Sequence, residues 1–135
     1  MKNLLLSISI FAMLCVAQFS FSQTTMTGSD TVVNTATVNL DVTLKGSASS
    51  VSFHVIVDEL SGTTDGTALL QGSNDGTTYF DLNTDTFQLA DVATPQGYGW
   101  YINGCNPYLY YRIKVTGVGT MSAIASGYAM LRPRN

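Results

Sequence analysis

The sequence predicts an all-β protein, a single antiparallel β-sandwich or jelly-roll-like domain of about seven or eight short strands. No stretch beyond the N-terminal segment carries a sustained 3.6-residue apolar period, so we expect no substantial helix. Apolar and polar residues alternate with period two instead, which is typical of half-buried strands. Gly, Asn-Asp-Gly and Pro separate these short stretches and favour turns between them.

The first segment has the three-part layout of a secretory signal peptide. Residues 1–3 are a short positive start, residues 4–17 are apolar apart from two serines, and residues 20–22 place small side chains at the cleavage positions. The apolar run is shorter than the roughly 20 residues of a comfortable membrane span. We therefore predict a signal peptide over residues 1–22, cleaved before Gln23; the alternative is an apolar arm that is retained.

The remainder is long enough for one core. We predict a polar N-terminal arm over residues 23–30, which has little to bury, and the β-sandwich domain over residues 31–135. After cleavage Cys105 is the single cysteine, so no internal disulfide is expected. A buried small apolar residue is the simplest use of Cys105, and an intermolecular bridge is the alternative.

Alternation places the first strands. Residues 38–44 and 51–57 are predicted strands, with Val51, Phe53, Val55 and Val57 on one side and His54 on the other. Residues 61–66 form a turn. The two Asp-Gly-Thr sequences, at Asp65 and Asp75, are interpreted as successive hairpin turns.

The second half contains two predicted hairpins. Residues 67–71 and 78–82 flank Gly-Ser-Asn-Asp-Gly, and residues 98–102 and 108–116 are predicted partners across the loop 103–107. Phe87 and Leu89 mark a short strand. On the strand 108–116, one face is predicted to carry Leu109, Tyr111, Ile113 and Val115. The last strand, 120–131, is rich in small residues that allow close approach of a facing sheet or a neighbouring subunit.

Charge is sparse and uneven. All nine acidic residues precede residue 92, and four of the six basic residues follow residue 111. A nucleic-acid site needs a dense basic stripe, so no nucleic-acid partner is expected. The asymmetry favours head-to-tail contact between copies, with an ordinary solvated surface as the alternative.

The residues do not compose a catalytic or cofactor site. His54 is the single histidine, Asp58 and Glu59 are adjacent and point apart, and phosphate-loop, nucleophile-elbow and Cys-x-x-Cys motifs are absent from the sequence. We therefore expect no enzyme, cofactor or metal, and interpret His54 as a surface or interface residue. Calcium bound by oxygens of Asp65, Asn74 and Asp75 is the alternative, but turn chemistry already accounts for these residues.

An aromatic cluster supplies the candidate binding residues. Six aromatic residues fall between positions 98 and 111. Large rings suit core packing, protein contacts and sugar faces, and all three uses stay open. The predicted binding set is Tyr98, Trp100, Tyr101, Tyr108, Tyr110 and Arg112.

Two stretches resemble known proteins. Residues 70–82, LQGSNDGTTYFDL, resemble a hairpin of small β-sandwich modules that is also seen in discoidin-like carbohydrate-binding modules. Residues 110–122, YYRIKVTGVGTMS, resemble the closing strand pair of minor virion proteins of bacteriophages. The resemblance covers residues 67–131. A signal peptide departs from that family, and its Phe-Ser-Gln ending resembles exported proteins of Bacteroidetes, as in a phage of such a host, a prophage gene or a host surface protein.

Together these observations predict a non-catalytic structural or interaction protein that is secreted and lies on a virion or a cell surface. It is expected to self-associate as a homo-oligomer or to contact other structural proteins. A secreted carbohydrate-binding or adhesin module, with a glycan as ligand, is the alternative.

Overall fold

A computed structural model describes residues 24–44, 48–82, 85–104 and 107–133. The predicted signal peptide and Cys105 lie outside the described residues. The described part contains nine strands and no helix, hence no helix with the length and hydropathy of a membrane span. The strands are β1 (Thr24–Val33), β2 (Thr37–Thr43), β3 (Ala48–Gly62), β4 (Gly66–Ser73), β5 (Phe80–Asp81), β6 (Phe87–Leu89), β7 (Gln96–Asn103), β8 (Tyr110–Gly117) and β9 (Met121–Pro133).

The strands form two antiparallel sheets, which confirms the predicted β-sandwich. The four-stranded sheet has the order β1-β9-β3-β7. The five-stranded sheet has the order β2-β8-β4-β5, with β6 also paired to β4. From β1 to β4, and again from β7 to β9, each successive strand lies in the sheet opposite to the one before it.

The core lies between the two sheets and follows the predicted alternation. On β3 the residues Val51, Phe53, Val55 and Val57 are at most 1% exposed. They face Leu70 of β4 and the buried Tyr111, Ile113 and Val115 of β8. Removing such side chains from water contributes about 1.5–3 kcal/mol each, so the alternation alone accounts for which side of each strand is inside.

The prediction that residues 98–102 and 108–116 pair is wrong. Strand β7 pairs with β3, whereas β8 pairs with β2 and β4 in the other sheet. The loop between β7 and β8 therefore crosses from one sheet to the other. Both segments alternate correctly, but backbone hydrogen bonds form equally well with any extended neighbour, so the alternation did not identify the partner. Leu109, predicted to share a face with Tyr111, precedes β8 and is 59% exposed, whereas Tyr111 is fully buried.

The two Asp-Gly-Thr turns also differ from each other. Asp75 does lie in the turn between β4 and β5, where Gly72 pairs with Phe80, as predicted. Asp65 lies instead in the crossing from β3 to β4, between the two sheets. There Gly66 has a φ of +139°, and a Cβ atom on it would overlap the carbonyl oxygen of Thr116. Glycine is required at this crossing because the backbones approach too closely for a side chain.

The first and last described strands pair in the four-stranded sheet. Residues 24–30, which were predicted to belong to a polar arm, are the first part of β1 and pair with β9. Pairing satisfies backbone N–H and C=O groups without apolar side chains, so a polar segment can form a strand there. This strand brings the number of described strands to nine, where seven or eight were predicted. Strand β9, in turn, lies between β1 and β3, so its uncharged stretch of small residues is central in the sheet.

Candidate functional site

The six predicted binding residues do not form one site. Tyr98 and Trp100 of β7 point between the sheets, and Trp100 is only 4% exposed. The Trp100 Nε1–H donates to the backbone oxygen of Asp85 at 2.8 Å. The Tyr98 ring stacks on Phe87 with 5.3 Å between centroids, and desolvation raises the pKa of its hydroxyl. Both rings therefore serve the core, one of the three uses that the sequence left open.

Tyr108 lies at the end of the same interior. Its ring meets the Tyr111 ring edge-on, with the centroids 6.1 Å apart. It also covers Gly72, where an added Cβ would lie 2.5 Å from the Cδ2 atom of Tyr108. Tyr108 thus closes one end of the core.

Tyr110 and Arg112 occupy the outer face of the five-stranded sheet. The Arg112 Nε donates to Gln71 Oε1 at 2.5 Å, and the Gln71 amide donates to Asp81 Oδ1 at 2.5 Å. Tyr79, which was not in the predicted set, covers the Arg112 guanidinium at 3.9 Å. These contacts tie β8, β4 and β5 together, and they leave Arg112 engaged within its own sheet.

Tyr101 is the one predicted residue that lies on the outer face of the four-stranded sheet, and it is 60% exposed. Its cross-strand neighbour on β3 is Ser52, which on its other side pairs with Met130 of β9. Ser52 and Met130 are shared by two adjoining depressions of about 360 and 290 Å³. The first is lined by Ser52, His54, Ile56, Tyr128, Ala129 and Met130, and the second by Ser50, Ser52, Tyr101, Met130 and Arg132. We call this pair of depressions the outer groove.

His54 lies in the first depression. Its backbone pairs with Gly99 of β7 on one side and Tyr128 of β9 on the other, and the His54 and Tyr128 rings lie 6.1 Å apart. The imidazole also leans towards Gly97, where an added Cβ would lie 3.0 Å from His54 Nε2. The bare glycines of β7 thus leave room for the imidazole over the sheet.

The neighbours of His54 are those of an interface residue and not of a catalytic one. Asp58 lies on the same face of β3 four residues further on, about 13 Å along a strand. Ile56 lies between them on that face. The imidazole is therefore flanked by glycine, an aromatic ring and an aliphatic side chain rather than by a carboxylate that would orient it for proton transfer. The position agrees with the predicted surface or interface role.

Sequence reasoning missed Ile56, Tyr128 and Met130. The signal was present: on β9, alternation assigns the residues at odd numbers to the core, so Ile124, Tyr128 and Met130 must point outward. Apolar residues at outward positions indicate a contact surface.

Two residues of the calcium alternative, Asp75 and Asp65, accept hydrogen bonds within the fold. Asp75 Oδ1 accepts hydrogen bonds from the backbone N–H groups of Thr77 and Thr78, at 2.8 and 2.7 Å. These donors, with the Ser73 hydroxyl, hold the pKa of Asp75 far below its usual range. Asp65 accepts from the N–H of Gly66 in the inter-sheet crossing. Within the described ranges, no three His, Cys, Asp or Glu side chains come together as metal ligands.

Solved structures share this fold at low sequence identity. The PBSX exported protein XepA aligns with a TM-score of 0.59 at 10% identity, over 84% of this chain, which spans 38% of the XepA chain. A mitogen derived from Yersinia pseudotuberculosis aligns with a TM-score of 0.50 at 12% identity, over 85% of this chain and 91% of its own. No protein-family model matches the sequence, and no curated protein matches it. The chain is therefore similar in fold to an exported protein of PBSX and to a bacterial mitogen.

Proposed function

We propose that this is an exported, non-catalytic interaction protein of a virion or a cell surface, which associates with copies of itself through the four-stranded sheet. The observation that carries the proposal is the contrast between the two outer faces of the sandwich. The outer face of the five-stranded sheet bears polar and charged residues, among them Asn39, Asp41, Gln71, Arg112 and Lys114. The outer groove bears Ile56, Tyr101, Tyr128 and Met130.

An antiparallel sheet that merely faces water is polar on its solvent side. The outer face of the five-stranded sheet is mostly polar, with Leu69 and Tyr110 among its residues, whereas the outer groove leaves Tyr101 and Met130 60% and 44% exposed side by side. Exposed apolar patches of this kind mark contact surfaces. The similarity in fold to the PBSX exported protein XepA is consistent with a non-catalytic role and with export.

Sedimentation velocity of the purified protein, expressed as the full chain, tests this function. We expect concentration-dependent association in the micromolar range. Replacing Ile56 and Met130 with threonine removes apolar contact area from the outer groove, and we expect at least tenfold weaker association, or about 1.4 kcal/mol. Leu69→Thr is the matched control, because Leu69 lies on the outer face of the other sheet. A monomer at all concentrations contradicts self-association.

A glycan ligand is the second candidate function, and one observation favours it. The second depression combines the exposed Tyr101 ring with the side chains of Ser52 and Arg132. An aromatic ring beside hydrogen-bonding groups suits a sugar, whose apolar face stacks while its hydroxyls are bound. Binding to a glycan array that Tyr101→Ala abolishes, by a protein that sediments as a monomer, would favour this function over self-association.

A further inference from the structure

We infer that strand β7 pairs antiparallel with β7 of a second copy, about a two-fold axis at Trp100, and joins the two four-stranded sheets into one. This inference rests on the proposed self-association and adds an edge contact through β7 to the contact made by the outer groove. The starting observation is topological: among the described strands, β7 pairs with β3 alone. It is therefore an edge strand of eight residues.

The direction of the β7 backbone groups follows from one hydrogen bond. The Gly104 N–H donates to the Ser49 carbonyl oxygen at 3.0 Å, in the same register that pairs Asn103 with Ser50. In an antiparallel ladder, hydrogen-bonded and non-hydrogen-bonded pairs alternate. The even-numbered residues of β7 therefore bond to β3. The N–H and C=O groups that point away from β3 belong to Gly97, Gly99, Tyr101 and Asn103, all of which are exposed.

The other edges of the sandwich carry features that oppose pairing. Strand β1 has a register shift between Met26 and Gly28 and an exposed Asp30, and β2 carries the exposed Asp41. Strands β5 and β6 have two and three residues. Bulges, charges and short length are the usual means of protecting a sheet edge.

Strand β7 has none of these features. Its sequence, QGYGWYIN, contains no charge and no proline, and its pairing with β3 is unbroken from residue 96 to residue 103. The whole chain carries a net charge of −3, so two copies approach with least repulsion where charge is absent. A second copy is therefore the partner that this edge fits.

The four outward residues select one register. If Gly97 lies opposite Asn103 of the second copy, then Gly99 lies opposite Tyr101, and every outward N–H and C=O group from 97 to 103 is paired. This arrangement lays each Tyr101 ring against a glycine of the other strand, a cross-strand pair that protects the backbone of a glycine. A shift of one pair towards the N-terminus would bring Pro95, which lacks an N–H donor, into the ladder.

The pairing has a consequence for the outer groove. Because Gly97, Gly99 and Tyr101 lie on the outer face in both copies, the two-fold axis is perpendicular to the sheet. Both outer grooves then open on the same side of an eight-stranded sheet. A second such dimer would engage both grooves at once, which raises the effective affinity of the groove contact.

The first test places a charge on the edge. A Cβ on Gly99 would make only an ordinary 3.5 Å contact with the Phe53 oxygen, so Gly99→Glu is expected to fold. We expect the dimerisation constant in sedimentation to weaken at least tenfold. Thr31→Glu places the same charge on β1, the opposite edge of the sheet, and is expected to change it less than twofold. Circular dichroism of each variant verifies the fold.

The second test determines the register between the two β7 strands. In a background with Cys15→Ser and Cys105→Ser, Gly99→Cys protein mixed with Tyr101→Cys protein should form a disulfide-linked heterodimer on mild oxidation, since directly opposite residues lie within disulfide range. Each variant alone should form little, because the equivalent cysteines are then diagonal neighbours. Homodimers of Gly99→Cys would overturn this register.

The outcomes separate the two proposals. If the protein forms an oligomer that Gly99→Glu does not weaken and that the cysteine pair does not cross-link, the β7 pairing is wrong. Self-association through the outer groove then still stands. A monomer under all conditions overturns both.

Discussion

The guanidinium carbon of Arg112 lies 3.9 Å from the centroid of the Tyr79 ring, on the outer face of the five-stranded sheet. The same side chain donates through Nε to Gln71, whose amide donates to Asp81. The planar guanidinium thus stacks on one partner and bonds in its plane to another. This contact holds the β4–β5 hairpin, where Tyr79 lies, against β8.

Arg112→Lys is expected to lower the free energy of unfolding by about 1–2 kcal/mol. The ammonium group of lysine lacks the flat surface and the Nε donor, so it loses a cation–π contact of about 0.5–1 kcal/mol and a hydrogen bond of about 0.5–1.5 kcal/mol. Urea denaturation measures the loss. Lys114→Arg is the reciprocal change two residues further along the same face, and it should stay within about 0.5 kcal/mol of wild type. Equal losses in both variants would show that the stacked geometry is not responsible.

Asp75 should make stability depend on pH in the acid range. Backbone donors from Thr78 and Thr77 hold its folded-state pKa below the unfolded value of about 3.9. A depressed folded-state pKa contributes stability that is present above the unfolded value and is lost as the pH falls towards the folded one. We therefore expect Asp75→Asn to be less stable than wild type at pH 7 and to approach it at pH 2.5.

Urea midpoints at pH 7, pH 4 and pH 2.5 measure this convergence. Asp58→Asn is the control, because Asp58 is exposed on β3 and lies on the other sheet from the turn. A constant difference between wild type and Asp75→Asn at all three pH values would contradict the role assigned to the carboxylate.

Gly72→Ala should destabilise the fold by about 1–3 kcal/mol, the usual effect of overpacking. The new methyl group would lie 2.5 and 2.8 Å from the Cδ2 and Cγ atoms of Tyr108, so the whole ring must move away from Tyr111. A double-mutant cycle with Tyr108→Ala measures the clash. With the ring removed, Gly72→Ala should cost less than about 1 kcal/mol. Additive losses would place the strain elsewhere.

Trp100 and Tyr101 are adjacent, yet substitution of Trp100 should affect stability and substitution of Tyr101 should affect association. Trp100→Phe removes the hydrogen bond from Nε1 to Asp85 inside the sandwich and is expected to lower stability by about 1 kcal/mol. Tyr101→Ala changes an outward side chain that is 60% exposed, and should leave stability within about 0.5 kcal/mol while weakening association at least fivefold. Thermal unfolding and sedimentation of the two variants make the comparison. A loss of stability with Tyr101→Ala and unchanged association would contradict the surface role of Tyr101.

The structure also limits an obvious experiment on β9. A charge at Ala125 would serve as a probe of an intermolecular edge if β9 lay at the edge of its sheet. The strand is central and Ala125 is 0% exposed, so Ala125→Lys would bury a charge in the core. Its failure to fold would report on the core and not on assembly.

The sequence by itself determined the class of fold and the inward side of the main strands. Alternating residues such as Val51 and Phe53 must share a face, because successive side chains in a strand point to opposite sides and burial of the apolar side is favourable. The Asn-Asp-Gly hairpin was also predictable, since its turn residues act locally. These features depend on neighbours along the chain.

Only the tertiary structure decided which strands share a sheet. Segments 98–102 and 108–116 were predicted partners but lie in different sheets, and a polar segment at residue 24 became a paired strand. Backbone hydrogen bonds are the same for every residue type, so alternation does not identify the strand that pairs with a given strand. The packing of the two complete sheets determines that pairing. For the same reason the sequence did not show that the aromatic cluster is split between core and surface. Trp100 is buried, whereas the adjacent Tyr101 is exposed. Tyr101 lies beside Ser52, which is 49 positions earlier in the chain.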